Sequence, residues 1–457
     1  MQPSRFVSLS ALALGVAAAL ACGQVQASGF QLKENSVKAT GRAYAGSAAA
    51  EGDTSVVVNN PAAMATFEER AVQLDLHAID LSFEFEGGGT DAFGRPLTGG
   101  EGGDAGHVAA VPAMSAVFPI GDTGLTVGAM VGAPFGLATD YDAGWAGRYH
   151  ALESDVRIID LTLSASLDIS PFASIGGGIV FERAEVTLSN AIDFGSAVCR
   201  PSAATGGLPP PFCLPLGGNV YGPQQNDGTV EVVGDDTGLG FIAGLYLRPT
   251  DRLAIGLSHR TEVDHELEGD ADFDVPANVA PFLAVGAPGQ YQDTGVTADL
   301  TTPSISTLSV VYQATDRLAL MGDASRTGWS SLREIAIDFG NTQPTLAEEY
   351  AWRDTMFYSI GGEFAFNDRL TLRAGLAYDE TPVADEHRTP RLPDEDRTWF
   401  SFGATYAMSD ALEINAAFTH IDAGDPEVDI VSSSGSRLVG SYEGSANILG
   451  VGMQYRF

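Results

Sequence analysis

From Ala71 to Phe457 the sequence alternates apolar and polar residues with a period of two. Leu161, Leu163, Ala165 and Leu167 alternate with Asp160, Thr162, Ser164 and Ser166. Leu239, Phe241, Ala243, Leu245 and Leu247 oppose Gly240, Gly244, Tyr246 and Arg248. Leu370 to Tyr378 and Leu449 to Phe457 repeat the pattern. A strand sends successive side chains to opposite faces, so each segment has one apolar face and one polar face. A soluble sandwich has the same period; the connections separate the two classes. Strands are expected near 71–85, 107–118, 123–133, 154–168, 171–189, 236–248, 252–268, 297–313, 316–338, 350–366, 368–380, 396–407, 410–421 and 443–457. That is about 14, an even number as in bacterial outer-membrane barrels. Short links such as Pro119 to Asp122, Pro249 to Asp251 and Asn367-Asp368 alternate with long ones such as 86–106, 190–235 and 269–296. Short periplasmic turns alternating with long outer loops are a barrel pattern, and a sandwich has no reason to sort its loops this way. The expected fold is all-β: a transmembrane antiparallel β-barrel of about 14 strands.

Local signals agree. Asp251-Arg252-Leu253, Asp316-Arg317-Leu318 and Asp368-Arg369-Leu370 each follow a short link and open a strand, and Asp410-Ala411-Leu412 is a degraded copy. Asp suits the turn and Leu begins the lipid face. Residues 1–27 read as a cleaved secretory signal: Arg5, then an apolar stretch from Leu9 to Ala21, then Val25-Gln26-Ala27. That stretch is too short to span a bilayer. Cys22 as a lipidated cysteine is a weaker match. Only 18% of residues are charged and 44% are hydrophobic, yet nothing after the signal approaches a membrane helix. An exported chain of this kind crosses a membrane as a closed barrel, because closure satisfies every backbone group. A net charge of −35 argues against nucleic acid as a partner and against a basic patch for anionic lipid.

Residues 28–70 stand apart, ahead of the barrel at 71–457. The stretch from Ser28 to Phe67 is rich in Gly, Ala, Ser and Asn and lacks strand alternation. It is too polar for a membrane helix and too apolar for a free tail, so it needs enclosure. A barrel of about 14 strands has a lumen too wide for wall side chains to fill. The expectation is that 28–67 plugs it, with Asn60-Pro61-Ala62 close to a kink in the third strand. That strand carries Gly132, Pro134 and Gly136 near its outer end. Proline cannot donate to a ladder and glycine weakens one. The residues fit either a strand ending in a loop or a gap in the wall; a gap is tolerable only where protein covers it.

SGFQL at the start, GRAYAG at Gly41 to Gly46, Asn60-Pro61-Ala62, PFGLATDYDAGWAGRYHAL from Pro134, TGWSSL at Thr327 to Leu332 and LPDEDRTWFSFGATY from Leu392 occur in order along the mature chain. Together they resemble the FadL/TodX family of outer-membrane channels for long-chain fatty acids and other hydrophobic compounds. The resemblance implies a 14-stranded barrel, an N-terminal hatch and a lateral opening at a kinked third strand. It also implies capture of ligand at the outer loops, a lumen site and sideways exit into the membrane. Asn60, Pro61, Ala62, Gly132, Pro134 and Gly136 become hatch and gate candidates.

Phe135, Leu137, Trp145, Leu208, Phe212, Leu214, Phe282 and Leu283 are apolar in segments expected to face water, and are the capture candidates. A fatty acid also needs a cation for its carboxylate. Arg183 and Arg353 are the candidates, with lumen salt bridges as their other reading. Without such a cation the cargo is neutral, such as an aromatic hydrocarbon. Cys199 and Cys213 are expected to form a loop disulfide. Glu262, Asp264, Glu266, Glu268, Asp270, Asp272 and Asp274 occupy alternate positions, expected on the face that carries Arg260. They read as a solvated face or as a site for bridging cations. The scattered histidines match no zinc or hydrolase motif, so no enzyme, metal or cofactor is expected. Expected partners are a hydrophobic small molecule, outer-membrane lipids and lipopolysaccharide, and the barrel assembly machinery through Phe457. The alternatives to fatty-acid uptake are an aromatic-hydrocarbon channel of the same family and a barrel that mainly binds surface partners.

Overall fold

The computed structural model describes residues 29–199 and 221–457. The signal segment lies outside them. The strands are β1 (Ala71–Thr90), β2 (Val108–Pro119), β3 (Leu125–Asp140), β4 (Glu153–Ser170), β5 (Ala173–Asp193), β6 (Asp227–Thr250), β7 (Leu253–Arg260), β8 (Val263–Asp274), β9 (Thr294–Thr302) and β10 (Ile305–Thr315). They continue as β11 (Leu318–Thr327), β12 (Glu334–Phe339), β13 (Leu346–Glu349), β14 (Thr355–Ala365), β15 (Leu370–Asp379), β16 (Arg397–Ala407), β17 (Leu412–Asp422), β18 (Glu427–Val431) and β19 (Arg437–Arg456). Short breaks divide four wall strands into the pairs β7/β8, β9/β10, β11/β12 and β13/β14, and β18 is an outer flap on β19. The result is a closed antiparallel barrel of 14 strands, sealed where β1 pairs with β19. The three full Asp-Arg-Leu copies and their degraded relative lead into β7, β11, β15 and β17.

The sequence alternation maps onto the wall. Leu161, Leu163, Leu239, Phe241, Leu372, Leu376, Leu449 and Val451 are exposed on the outer face. Phe172, Phe364, Phe366, Tyr406, Tyr455 and Phe457 add exposed aromatics near the short-turn end, as an interfacial girdle requires. The opposite parity is polar: Gln73, Asp75, His77, Ser164, Ser174 and Gln454 are buried facing the interior.

The interior is filled by the segment before β1. Its short helices, Val37–Thr40 and Val56–Asn59, and the 3-10 turn Pro61–Thr66 are buried against the wall. Lys38 Nζ donates to the Gly52 carbonyl (2.7 Å) and to Gln454 Oε1 (2.8 Å), and pairs with Glu413. Arg42 Nη1 lies 2.7 Å from Glu363 Oε1. Asp323 of β11 accepts from the backbone N–H of Gly46 and of Ser47 (3.0 Å). Small residues let the hatch backbone reach the wall. A Cβ on Gly176 would lie 2.4 Å from Ala62 N, and one on Gly244 would lie 1.9 Å from Asn60 Oδ1.

Two expectations need correction here. The 262–274 carboxylates do not share a face with Arg260. The strand breaks at Thr261-Glu262 between β7 and β8, and a one-residue slip flips every later side chain. Arg260 points inward, while Asp264, Glu266, Glu268, Asp270 and Asp272 point outward. Asn60-Pro61-Ala62 is also not at the third-strand kink. It sits against β5 and β6: Asn60 Nδ2 donates to the Leu245 carbonyl (3.1 Å), and Ser174 Oγ donates to the Ala62 carbonyl (2.8 Å). The paired glycines Gly176 and Gly244 make room for it there.

Candidate functional site: a kinked strand, the hatch start and two cavities

The wall is incomplete beside β3. β2 and β3 pair only from Met114↔Val131 to Pro119↔Thr126. Above that, Val108 to Ala113 pair with β1 alone among the strands, and Gly132 to Asp140 with β4 alone. The β3–β4 register shifts between Gly132 and Phe135, where Ala133 and Pro134 together face the single residue Ile159. This is a bulge, and the proline cannot donate to β2 in any case. The upper rim is closed by the β1–β2 loop, where the Asp140 N–H donates to the Ala105 carbonyl (3.0 Å).

The first hatch residues cover the exposed backbone of β3. Leu32 N–H donates to the Pro134 carbonyl (2.7 Å), and Gly136 N–H donates to the Phe30 carbonyl (2.7 Å). Gln31 and Phe135 form an isolated antiparallel bridge. The SGFQL segment, not the Asn-Pro-Ala turn, therefore supplies the missing strand. Gly29 N–H donates to Asp394 Oδ2 (2.8 Å), tying the segment to the β15–β16 loop. The Phe30 ring packs edge-on against Phe135 (5.8 Å between centroids) and Trp329 (4.9 Å), with Trp352 5.8 Å away.

Phe30 to Leu32 also separate two cavities. The outer one, about 810 Å³ including its open mouth, is almost wholly apolar. Phe30, Leu137, Val156, Leu267, Leu300 and Trp352 are among its lining residues, and Arg391 is the one charged residue there among the described residues. Arg391 Nη1 donates to Ser154 Oγ (3.1 Å), and its Nε lies 3.5 Å from Glu348 Oε2. The inner cavity, about 880 Å³ including its open mouth, reaches the kink at Gly132, Ala133 and Pro134. Its lining mixes Leu32, Met130 and Phe357 with Lys33, Asp160 and Arg260. Arg260 is neutralised by Asp160 and Glu182. Next to Lys33, burial raises the Glu34 carboxyl to about 7, and its Oε1 has no partner among the described residues.

The structure redistributes the residues singled out from the sequence. Phe135 and Leu137 are not loop residues; they lie in β3 past the bulge, facing inward and buried. Only Leu137 lines a cavity. Trp145 is fully buried, stacked on Tyr141 at 4.0 Å, and lines neither cavity. Phe282 and Leu283 sit on the outer helix Ala280–Gly286, where Phe282 meets Tyr221 (5.2 Å). Leu208, Phe212 and Leu214 lie outside the described residues. Cys199 is disulfide-bonded; Cys213, its expected partner, also lies outside them.

Neither proposed cation faces the lumen. Arg183 is on the outward parity of β5, two residues beyond exposed Phe181, and pairs with Glu185 (2.8 Å) and Asp235 (3.1 Å). Arg353 is exposed and donates to the Thr381 carbonyl (3.2 Å). The inward cations Arg391 and Lys33 were missed. For Arg391 no alternation was available, because it lies in a loop. Lys33 lies in the hatch, where no strand parity applies.

The family described as "Outer membrane protein transport protein (OMPP1/FadL/TodX)" matches residues 18–457. The chain belongs to this family. It is a bacterial outer-membrane β-barrel that transports hydrophobic compounds. It is 28% identical over 447 residues to the "47 kDa outer membrane protein" of Pasteurella multocida, covering 97% of each chain. It is 27% identical over 458 residues to the "Long-chain fatty acid transport protein" of Escherichia coli, covering 97% of this chain and 98% of that one. Among solved structures, a FadL homologue from Pseudomonas aeruginosa superposes with a TM-score of 0.85 at 28% identity, covering 94% of this chain and 100% of that one. The Pseudomonas putida toluene transporter TodX superposes at 0.65 with 16% identity over 94% and 100%, a likeness of fold. Members of the FadL/TodX family are transport channels rather than enzymes.

Proposed function

We propose that this FadL-family barrel takes up long-chain fatty acids by passive transfer. The ligand is captured at the outer loops, held in the outer cavity, passed to the inner cavity and released sideways between β2 and β3. The observation that carries the reading is the arrangement of two cavities in series, parted by Phe30 to Leu32, the inner one ending at the bulge of β3. The apolar lining of the outer cavity suits an alkyl chain. At the outer end, Phe194, Val198, Val279 and Leu283 form a separate apolar cluster between two loop helices, which suits capture. Arg391 is the cation available to a carboxylate in the outer cavity. The name of the Escherichia coli relative supports fatty acid over an aromatic hydrocarbon, as does the closer superposition on the FadL homologue than on TodX.

In this reading, residues 28–70 are a hatch whose first residues must leave β3 for ligand to pass. Phe457, exposed beside Tyr455 at the end of β19, suits recognition by the assembly machinery. The test is uptake of labelled oleate by cells lacking their own fatty-acid channel and expressing this chain. Saturable uptake above vector controls is expected. Uptake of toluene without any of oleate would favour the aromatic-hydrocarbon reading.

A further inference from the structure

Among the described residues, Lys33 is the charged group lining the inner cavity that has no counter-charge within 4.0 Å. The other charges lining that cavity are engaged. Arg260 is held by Asp160 and Glu182. Asp323 accepts from Gly46, from Ser47 N–H and from the Ser47 hydroxyl. Lys33 differs: among the described residues no carboxylate lies within 4.0 Å of its ammonium. What lies beneath the ammonium is the Phe357 ring, with Nζ 4.1 Å from the centroid. Asp379, Glu34 and Asp323 act on it only at longer range, and burial holds its ammonium below the usual lysine range. A cation-π contact is a weaker partner for an ammonium than a carboxylate. Lys33 is half-buried beside the cavity, and an ammonium partly withdrawn from water without an anion gains from one. The position is therefore built for an anion that arrives from the cavity side.

The surroundings say what kind of anion. Asn35, Asn59, Thr307 and Ser325 line the cavity as further hydrogen-bonding groups. Leu32, Met130, Val58, Ile242 and Ile305 line it as apolar surface. A small hydrophilic anion would leave that surface unused, and a neutral hydrocarbon would leave Lys33 unpaired. We infer that the inner cavity is a head-group site for a carboxylate-bearing amphiphile, with the Lys33 ammonium as its anchor and Phe357 as the floor beneath that ammonium. This deepens the fatty-acid reading and rests on it. Lys33 lies one residue after Leu32, whose N–H holds the β3 bulge. The anchor thus sits on the same short segment that covers the gap, so a carboxylate bound there bears directly on the cover.

The experiment compares oleate with oleyl alcohol, of the same chain length but uncharged, on purified full-length barrel in detergent. Wild type, Lys33→Met and Lys33→Arg are titrated with each ligand by calorimetry. A charge-assisted contact to a carboxylate is worth about 1.5–3 kcal/mol, so Lys33→Met is expected to weaken oleate roughly 10- to 100-fold. Oleyl alcohol is expected to change less than about threefold, and Lys33→Arg to restore most of the oleate affinity. The oleyl alcohol arm shows that the cavity itself survives the substitution. Equal losses for both ligands, or no loss for oleate, would overturn the anchor while leaving hydrophobic transport intact. Binding of neither ligand by wild type would overturn the transport reading and this inference with it.

Discussion

The barrel makes two joints from the same materials in opposite ways. At the seam, β1 and β19 pair along their whole length, from Ala71↔Arg456 to Thr90↔Arg437. One strand further round, β2 and β3 stay together only between Met114 and Pro119. An unpaired backbone group facing lipid costs several kcal/mol, so a long gap cannot stand alone. The seam solves this with a continuous ladder. The β2–β3 joint solves it with Phe30 to Leu32, a piece of another part of the chain held there by two backbone hydrogen bonds. On the proposed route the first joint is permanent and the second conditional, and lateral exit uses that difference.

The largest expected effect comes from removing the conditional cover. Deleting residues 28–59 should raise single-channel conductance in planar bilayers several-fold and abolish selective oleate uptake. A folded, electrically silent deletion that still takes up oleate would break the comparison. Next comes the anchor of the cover. Phe30→Ala removes a ring buried among Phe135, Trp329 and Trp352, a change costing about 3–5 kcal/mol. Hydrogen exchange at Gly136, which donates to the Phe30 carbonyl, should accelerate, while exchange along β1 stays unchanged.

A smaller effect separates tight contacts from loose ones. Gly244→Ala forces a methyl into Asn60 and should lower the midpoint of thermal unfolding, at a cost of about 1–3 kcal/mol. Gly88→Ala on the seam meets no atom within 4 Å and should leave the midpoint within error. The smallest expected effect is on pH. Burial raises the Glu34 carboxyl to about 7, above its ordinary 4.5. A group whose folded value is raised stabilises fully below its unfolded value and loses that contribution as pH rises through the folded one. The hatch start should therefore be held best near pH 4.5 and loosen as pH rises through about 7. Intrinsically corrected exchange at residues 30–36 reads this, and Glu34→Gln should flatten the profile.

Much of the seam-like wall was legible in the sequence, because a two-residue period with one lipid face leaves little freedom. The strand count and the Asp-Arg-Leu turns follow from local chemistry; Gly132, Pro134 and Gly136 marked an irregularity but left open whether the strand ended there or continued past a break, as β3 does to Asp140. The site was less legible, for identifiable reasons. Arg183 could have been placed from Phe181, which shares its outward face, but its charge suggested a lumen role. The inward turn of Arg260 relative to the 262–274 carboxylates depends on a break at Thr261-Glu262 that alternation does not announce. The Asn-Pro-Ala turn was expected at the kink because both looked like gate parts; its true neighbours are Gly176 and Gly244, two glycines in separate strands. Lys33 and Arg391 lie outside regular strands, and only the folded chain brings them to the cavities.

The conditional joint can be turned into a permanent one. Deleting Pro134 restores a continuous β3–β4 register, with Ala133 opposite Ile159, and adding Gly132→Val favours an extended strand. Labelled oleate uptake by this variant is compared with wild type at equal amounts of folded barrel in the outer membrane. Lateral exit at this joint predicts that uptake falls to near background although oleate still binds the purified barrel. Wild-type uptake through the straightened strand would contradict it.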